Sequence, residues 1–374
     1  MRHLYPLRSV LYALGALLLS SCATTPSLYG WGNYEATSYA VAKTPSEQNL
    51  QRLIQVYEEL ITHPKGTRQL PPPGICAEYG YLLIKQGKPE EGRKLLEELC
   101  GVPVLGVVPY LTDVHIEEED SVALSRRAFS SQQGKVNIAV VLLRYISNYT
   151  DFARLEQDER IHLFYTNNVE ELQSADIIIV PGSKSTLSDL YELRRNGVAQ
   201  AIVRAHRAGK TILGICGGYQ ILGQEVIDPQ GVEGELQRLP GLGLLPITTE
   251  MAAEKVTTQA SFTLLDDPTP CTGYEIHMGQ SRIIEGFDPS PLVRMTDGRE
   301  EGYLAGTHCM GTYLHGILDN AVFVDYLLRP FADRIQDTGA GWDYEAFKQE
   351  QYDRLADHLR EHVDLERIYQ IMCV

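Results

Sequence analysis

The chain has 374 residues, with 33 Lys or Arg against 49 Asp or Glu, and its formal net charge is -16 at pH 7. Such an excess of negative charge opposes binding to nucleic acid or to an anionic membrane surface, and we expect neither interaction. Hydrophobic residues make up 44% of the chain, enough for two domains that each bury a core. The seven cysteines show no CxxC pairing, so the sequence predicts neither a metal site nor a disulfide framework.

The first 22 residues have the pattern of a bacterial lipoprotein signal peptide. Arg2 and Arg8 give a basic start, and the apolar run from Val10 to Leu19 is too short to span a bilayer. Small residues then precede Cys22. We expect cleavage before Cys22 and lipidation of this cysteine, which would be the chain's one attachment to a membrane. A buried N-terminal helix is the alternative.

Residues 23 to 99 predict a small helical module. Apolar residues recur with helical spacing between Ser46 and Thr62, and Pro71 to Gly74 interrupts the chain. Two further helices, Ala77 to Lys85 and Pro89 to Leu99, are joined by a tight turn and resemble one tetratricopeptide-like hairpin. The module resembles small periplasmic lipoproteins and contains no catalytic pattern, which favours a scaffold or interaction role.

Residues 100 to 134 predict a strand followed by a polar connection. Val102 to Tyr110 is nearly continuous in apolar residues, as in a strand that is covered on both faces in a parallel sheet. No neighbouring parallel strand precedes it, so the strand would keep an unpaired edge. The acidic run from Glu117 to Asp120 then begins the solvated connection.

Between residues 135 and 335 strands alternate with helices. This alternation predicts an α/β fold with a doubly wound, mostly parallel sheet. The expected elements are strands Val136 to Leu143, Ile161 to Tyr165, Ile177 to Val180 and Thr211 to Ile215, with helices between Leu187 and Arg207. Antiparallel additions are expected at 253 to 315, helices at 319 to 333 and 342 to 371, and a C-terminal helical extension at 336 to 374.

One cysteine lies in a glycine-lined turn between a predicted strand and a predicted helix. Cys216 follows the strand that starts at Thr211 and stands between Gly214 and Gly217. Glycines permit the sharp turn, and the first backbone N–H groups of the following helix favour thiolate over thiol. The pattern predicts a nucleophile at Cys216, whereas a buried structural cysteine is the alternative.

A thiolate that cleaves an amide needs a base and an oxyanion site. His315 ends a β-prone stretch and can take a proton and return it. The loop 181–186, with Gly182 and Ser183, lies between a strand and a helix, so its backbone N–H groups and that of Gly217 can bind a negative oxygen. A phosphate loop is the rival interpretation, but the GxxxxGK[ST] spacing is absent, and no ATP site is expected.

Five motifs, in this order, resemble the glutamine amidotransferase domain of cobyric acid synthase. They are ISNYTDF at 146–152, IIIVPGSKST at 177–186, GICGGYQILG at 214–223, GYEIHMG at 273–279 and GTYLHGIL at 311–318. The resemblance extends over about residues 101–335. Residues 104–110 and 119–121 resemble the segment that joins that family's ATP-dependent synthetase domain to its amidotransferase domain.

The resemblance implies a class I glutamine amidotransferase fold. It implies that Cys216 attacks the glutamine amide and that His315 acts as acid and base. A Cys-His dyad is expected, because Ile317 occupies the position where the broader class I family has a glutamate.

The other expected site residues fall into two groups. Gly182, Ser183, Gly217 and Gln220 are candidates for oxyanion or glutamine binding. Tyr274, Glu275 and His277 match a motif near the acceptor side, with a structural role in a strand as the alternative.

The activity implied is ATP-dependent amidation of corrin carboxylates in cobalamin biosynthesis, with glutamine and a corrin acid as substrates. The synthetase domain is missing from this sequence, so ATP and Mg are expected only with a separate synthetase, and no cofactor in this chain. These substrates are cytoplasmic whereas the lipobox implies membrane anchoring, which suggests a fused or mispredicted gene. Two alternatives stay open: an amidotransferase subunit serving a separate ligase on a cell-wall intermediate, and a non-catalytic membrane-anchored lipoprotein.

Overall fold

A computed structural model describes residues 28–44, 46–62, 73–116, 132–335 and 342–372. The expected signal peptide and Cys22 lie outside these residues. The chain divides into two compact units, one within Met1–Val114 and Asp353–Val374 and the other within His115–Tyr352. Among the helices in the described ranges, none is both long and apolar enough to cross a membrane.

The first unit contains two helical hairpins. They consist of α1 (Leu28–Lys43), α2 (Glu47–Thr62), α3 (Pro73–Lys85) and α4 (Pro89–Cys100). Helix α2 and the hairpin of α3 and α4 were predicted, but α1 was not. Helix α3 begins at Pro73, four residues before the predicted start, because proline is tolerated in the first turn of a helix.

A small core holds the two hairpins together. Leu53, Ile54 and Tyr57 of α2 pack with Tyr79 and Leu83 of α3, and all five side chains are buried. Burial of these apolar groups supplies the main stabilisation, since isolated helices of this length are marginal in water.

The strand expected between Val102 and Tyr110 does not form, and this prediction is wrong. Within the described residues the segment makes a single isolated bridge, between Gly106 and Val363, and Tyr110 is 86% exposed. A strand persists only where a neighbour satisfies its backbone groups. Here the neighbour is the short turn between α11 (Tyr344–His362) and α12 (Leu365–Met372), too short for a ladder.

The second unit is built on a six-stranded, mostly parallel sheet. The sequence predicted a mostly parallel sheet and four of its strands. Its strands, in spatial order, are β11 (Tyr303–Ala305), β12 (Cys309–Thr312), β4 (Thr211–Ile215), β3 (Ile177–Val180), β1 (Val136–Val141) and β2 (Ile161–Thr166). All neighbours pair in parallel except β11, which is antiparallel to β12. Strands β1, β3 and β4 are buried along their whole length, so both faces of the sheet are covered.

Six helices belong to this α/β unit. They are α5 (Ala153–Gln157), α6 (Val169–Ser174), α7 (Thr186–Arg195), α8 (Val198–Arg207), α9 (Gly217–Leu222) and α10 (Ala321–Leu328). Helix α8 is strongly amphipathic, with Val198, Ala201, Ile202 and Ala205 buried. The helices connecting the parallel strands give the doubly wound arrangement, so the predicted fold class is confirmed.

A second sheet supplies the antiparallel additions expected after residue 253. It contains β5 (Glu225–Ile227), β6 (Arg238–Pro240), β7 (Ile247–Leu264), β8 (Asp267–Ile283), β9 (Val293–Met295), β10 (Glu300–Glu301) and β13 (Leu314–His315). Strands β7 and β8 form one long hairpin, and β13 pairs with β8 so that His315 lies opposite Tyr274. This pairing joins the second sheet to the carboxyl end of the first, where α/β folds place their ligands.

Candidate active site

Cys216 stands in a strained turn between β4 and α9. Its backbone has φ 52° and ψ -109°, a left-handed conformation that is uncommon for a residue with a side chain. Close packing forces this turn, because a Cβ on Gly218 would lie 1.8 Å from the carbonyl oxygen of Val180 in β3. The predicted strand-to-helix turn is therefore present, and it presents the cysteine at the carboxyl end of the sheet.

The surroundings of Cys216 fix its position. Its backbone N–H donates to the carbonyl of Thr312 across 2.8 Å, and its thiol lies 3.4 Å from the carbonyl oxygen of Ile276. Only 8% of the residue is exposed. Cys216 is thus held between β12 and β8, with a narrow opening to solvent.

His315 reaches the same point from β13. It is 1% exposed, and its ring interacts electrostatically with the side chain of Cys216. Its Nδ1 is bonded to Oδ2 of Asp151 at 2.7 Å, which leaves Nε2 for the thiol. The sequence predicted a two-residue arrangement, and it did not predict this contact of Asp151 with His315.

Opposing effects act on the pKa of His315. Burial lowers it, but hydrogen bonds and charge interactions with Asp151 and Cys216 outweigh burial and raise the pKa to about 10. The surroundings of the ring therefore favour its protonated form at neutral pH.

Tyr274 stacks against one face of the His315 imidazole. The two rings are stacked, with centroids 5.2 Å apart and planes 19° apart. The hydroxyl of Tyr274 accepts a hydrogen bond of 2.8 Å from the side-chain amide of Asn148. Asn148 has a positive φ of 56°, so its backbone is also strained at this site. The structure therefore places Tyr274 against His315.

Gly182 leaves open space beside the cysteine and the histidine. A Cβ at this position would lie 2.9 Å from Oγ of Ser147, 3.3 Å from Cε1 of His315 and 3.8 Å from Cβ of Cys216. A larger residue here would fill the volume beside Cys216 and His315. Gly182 itself is fixed, because its carbonyl accepts the backbone N–H of Ser147 at 3.0 Å.

The two expected oxyanion segments lie against each other. A Cβ on Gly217 would come within 2.9 Å of the backbone nitrogen of Ser183. The Ser183 hydroxyl turns away and donates to Asp189 across 2.6 Å. Asp189 also accepts backbone N–H groups of Arg144 and Tyr145, and burial raises its pKa while these bonds oppose that shift. The side chain of Ser183 thus shapes the loop, and its backbone lies nearer the site.

Gln220 is committed to internal hydrogen bonds. Its carbonyl accepts from the hydroxyl of Thr186 at 3.0 Å, and its amide donates to the hydroxyl of Tyr313 at 3.3 Å. It is 2% exposed. The residue links the predicted oxyanion loop to the strand region that carries His315.

The three expected acceptor-side residues separate into two environments. Glu275 and His277 alternate with Tyr274 along β8 and so face the other side. Glu275 is 2% exposed and accepts two hydrogen bonds from Arg299, at 3.0 and 2.5 Å. His277 stacks on Tyr313 at 3.9 Å, and burial lowers its pKa. The side chains of Glu275 and His277 are therefore held by their contacts with Arg299 and Tyr313.

A cleft of about 630 Å³ borders this region. Ser147 and Asn148 line it together with Arg144, Lys184 and Glu192. The cleft therefore opens beside the loop that approaches Gly182. Among the residues that the structure describes, no group of three or more His, Cys, Asp or Glu side chains is arranged to hold a metal ion.

Residues 137–323 match the CobB/CobQ-like glutamine amidotransferase domain. This match is 187 of the 374 residues, which is half of the chain. The chain belongs to the CobB/CobQ-like glutamine amidotransferase family. Residues 28–98 match a domain of unknown function, DUF4810. That second match covers the helical module, whose lipoprotein character stays a prediction.

Several relatives are cobyric acid synthases. That of Bacteroides fragilis is 64% identical over 283 residues, covering 76% of this chain and 57% of the relative. The Phocaeicola vulgatus protein is 58% identical with the same coverage, and the Parabacteroides distasonis protein is 51% identical over 75% of this chain and 56% of the relative. This chain thus spans little more than half the length of these relatives.

Two solved structures are similar to part of the chain. PurLQS from Thermotoga maritima is 18% identical, with a TM-score of 0.40, and covers 53% of this chain and 99% of its own. A glutamine amidotransferase crystal structure is 18% identical, with a TM-score of 0.39, and covers 51% of this chain and 97% of its own.

Proposed function

We propose that this chain releases ammonia from glutamine, with Cys216 as the nucleophile and His315 as the acid and base. The observation that carries the proposal is that these two buried side chains meet beside Gly182 at the carboxyl end of the sheet, where one Cβ position would lie 3.3 Å from Cε1 of His315 and 3.8 Å from Cβ of Cys216. The family to which the chain belongs supports an amidotransferase activity. An imidazolium beside a thiol is the arrangement that stabilises a thiolate.

The first half of the reaction forms a thioester. The Cys216 sulfur attacks the side-chain amide carbon of glutamine, and the carbonyl electron pair moves to oxygen. We assign the backbone N–H groups of Gly217 and Ser183 to this oxyanion, because the two residues adjoin each other next to the sulfur. His315 then donates its proton to the amide nitrogen, the C–N bond breaks, and ammonia leaves.

The second half restores the cysteine. A water molecule attacks the thioester carbon while neutral His315 accepts its proton. The C–S bond breaks, glutamate leaves, and the pair returns to thiolate and imidazolium. The new carboxyl group of glutamate loses its proton, and ammonia takes up one proton. The sum is therefore glutamine and water giving glutamate and ammonium, so atoms and charges balance without any further reagent.

The proposal is tested by ammonia release from glutamine with the full chain. We expect Cys216→Ala and His315→Ala each to lower kcat by about 10³-fold or more, because the covalent route is lost. Cys271→Ala is the matched control, since this cysteine is also buried but lies near the β7–β8 turn. Ammonia release by Cys216→Ala at the unmodified rate would reject the proposal.

We further propose that the ammonia serves amidation of a corrin carboxylate, as the name cobyric acid synthase of the relatives indicates. A carboxylate must be activated before ammonia can displace its oxygen, so the reaction also needs an ATP-dependent synthetase activity with Mg. No ATP-binding role is assigned to this chain. The cell-wall ligase alternative has no comparable support among these relatives.

Reconstitution tests this wider role. The chain is mixed with the synthetase part of the Bacteroides fragilis relative, ATP, Mg and a corrin acid, and amide formation is followed by mass spectrometry. We expect glutamine-dependent amidation with the wild-type chain and none with Cys216→Ala. The same variant should still support amidation from added ammonia. Amidation that needs free ammonia even with the wild-type chain would reject the coupling.

A further inference from the structure

We infer that Asp151 is a positioning residue for this site, which orients His315 and holds its ring protonated. The inference rests on the proposed glutaminase function and assigns the third member of a Cys-His-Asp arrangement. It differs from the expected two-residue arrangement because the third group comes from a distant segment, residues 149–152, rather than from the position of Ile317.

Both oxygens of Asp151 are used at the histidine. Oδ2 forms a hydrogen bond of 2.7 Å with Nδ1 of His315, and Oδ1 accepts a hydrogen bond of 2.9 Å from the backbone N–H of Gly316. These two bonds fix the ring in its plane and also fix the backbone that carries it. The carboxylate cannot follow the ring into another rotamer without losing the second bond.

Because Asp151 is buried, its negative charge is costly unless a positive group compensates it. Asp151 is 2% exposed and His315 is 1% exposed. A buried carboxylate is costly unless a positive group accompanies it. Among the residues that the structure describes, Asp151 pairs with His315. The imidazolium therefore compensates the carboxylate, and the carboxylate in turn favours the protonated ring over the neutral one.

The position of Ile317 cannot supply this group. Ile317 is fully buried in the apolar core. The turn that carries Asp151 instead follows β1 and is preceded by Asn148, whose amide holds the hydroxyl of Tyr274. Asn148 thus acts on the stacked face of the His315 ring through Tyr274, and Asp151 acts directly on Nδ1 of the ring.

Several other titratable groups lie near His315 and enter any pH profile. Cys216 from the β4–α9 turn and Tyr274 from β8 adjoin the ring, His277 of β8 interacts with it electrostatically, and Asp319 lies close to Gly316 in the turn after β13. Asp151 differs from all of them in bonding the ring nitrogen that is not directed at the sulfur. Its removal should therefore alter the protonation of His315 while leaving the thiol in place.

The test compares wild type with Asp151→Asn in two assays. For ammonia release we expect kcat to fall by about 10² to 10⁴-fold with KM changed by less than about threefold, because the ring loses its orientation and charge. For alkylation of Cys216 by iodoacetamide, followed by peptide mass spectrometry, we expect the rate–pH profile to move upward by about one pH unit or more. Asp151→Glu, which keeps the carboxylate, should recover part of both.

Asp325→Asn is the matched control, because Asp325 is exposed and pairs with Arg160. It should leave kcat and the alkylation profile unchanged. If the Asp151→Asn variant keeps the wild-type kcat and the wild-type rate–pH profile of alkylation, the inference is overturned. If that variant does not fold, ¹⁵N NMR of the wild-type histidine rings decides: His315 protonated at pH 8 supports the inference, and a neutral ring overturns it.

The two proposals fail separately. Alkylation and ring NMR do not depend on glutamine turnover. A chain that shows the expected alkylation shift but releases no ammonia would retain the role of Asp151 and reject the proposed function. If the Asp151→Asn variant instead turns over glutamine at the wild-type rate, the proposed function is retained and the role of Asp151 is rejected.

Discussion

The backbone of Cys216 has a strained conformation. Its φ of 52° places the side chain in a region that residues other than glycine rarely adopt. Strain of this kind costs about 1 to 3 kcal/mol and persists where the surrounding packing requires it. Here the close contact between Gly218 and Val180 supplies that requirement.

Replacing Cys216 by glycine should therefore relieve strain. We expect Cys216→Gly to be more stable than Cys216→Ala by about 1 kcal/mol, because glycine adopts a positive φ without a Cβ clash. Urea unfolding of the two variants measures the difference. Both lack the thiol, so loss of the sulfur cancels in the comparison.

Cys309 provides the control for this glycine effect. It is also buried but lies in β12 with no positive φ. There the order should reverse, with glycine less stable than alanine by about 0.5 to 1 kcal/mol. If glycine is the less stable choice at both positions, the strain at Cys216 does not matter energetically.

At the scale of elements, the helical hairpin of α3 and α4 depends on two small residues that face each other. A Cβ on Gly92 would lie 2.5 Å from the carbonyl oxygen of Gly80, and one on Gly80 would lie 2.7 Å from the side chain of Leu96. The two helices therefore approach more closely than larger residues allow.

Gly92→Val should open this hairpin. We expect a loss of about 1 to 3 kcal/mol in the free energy of unfolding of the helical module, because the new side chain would overlap backbone. Limited proteolysis of residues 28–98, followed by mass spectrometry, measures the change. Gly74→Val is the control, since nothing lies within 4 Å of its Cβ position, and equal sensitivity of both variants would contradict the packing argument.

Elements also explain the failed strand at 102 to 110. Apolar continuity is a property of the run itself, whereas a strand exists only with a partner for its backbone groups. Gly106 finds one bridge partner, Val363. By contrast, β3 and β4, which run between parallel neighbours, begin and end where the sequence predicted.

Across the whole molecule, burial raises the pKa of several acids. The carboxyl groups affected are those of Asp189, Glu233 and Glu301. For Glu301 the pKa rises from 4.5 to about 7, because burial outweighs its hydrogen bonds from Thr312 and the backbone N–H of Tyr313. The folded chain thus binds this proton more tightly than the unfolded chain.

The sign of the resulting pH dependence follows by linkage. The stability contributed by protonated Glu301 is fully present below pH 4.5 and is lost as the pH rises through about 7. The loss amounts to about 3 kcal/mol. Glu301→Gln keeps a neutral group at every pH, so its stability relative to wild type should increase between pH 5 and pH 8.

Urea unfolding of the two proteins at several pH values measures this difference. Glu300→Gln is the control, because the neighbouring Glu300 is 46% exposed at its side chain and should follow wild type. A constant difference between Glu301→Gln and wild type across this range would show that Glu301 is ionised in the fold throughout.

The local pattern of the chain was sufficient to predict the doubly wound sheet, the turn at Cys216 and the approximate position of His315. Each depends on neighbours within a few residues: buried apolar runs, flanking glycines and a strand end. The contact between Asp151 and His315 could not be predicted, because the two residues are 164 positions apart in sequence. The separation of Tyr274 from Glu275 and His277, and the missing strand at 102 to 110, likewise depend on which segments meet in space. Folding decides such contacts because hydrogen bonds and burial are satisfied by proximity in three dimensions, and one sequence pattern permits several partners.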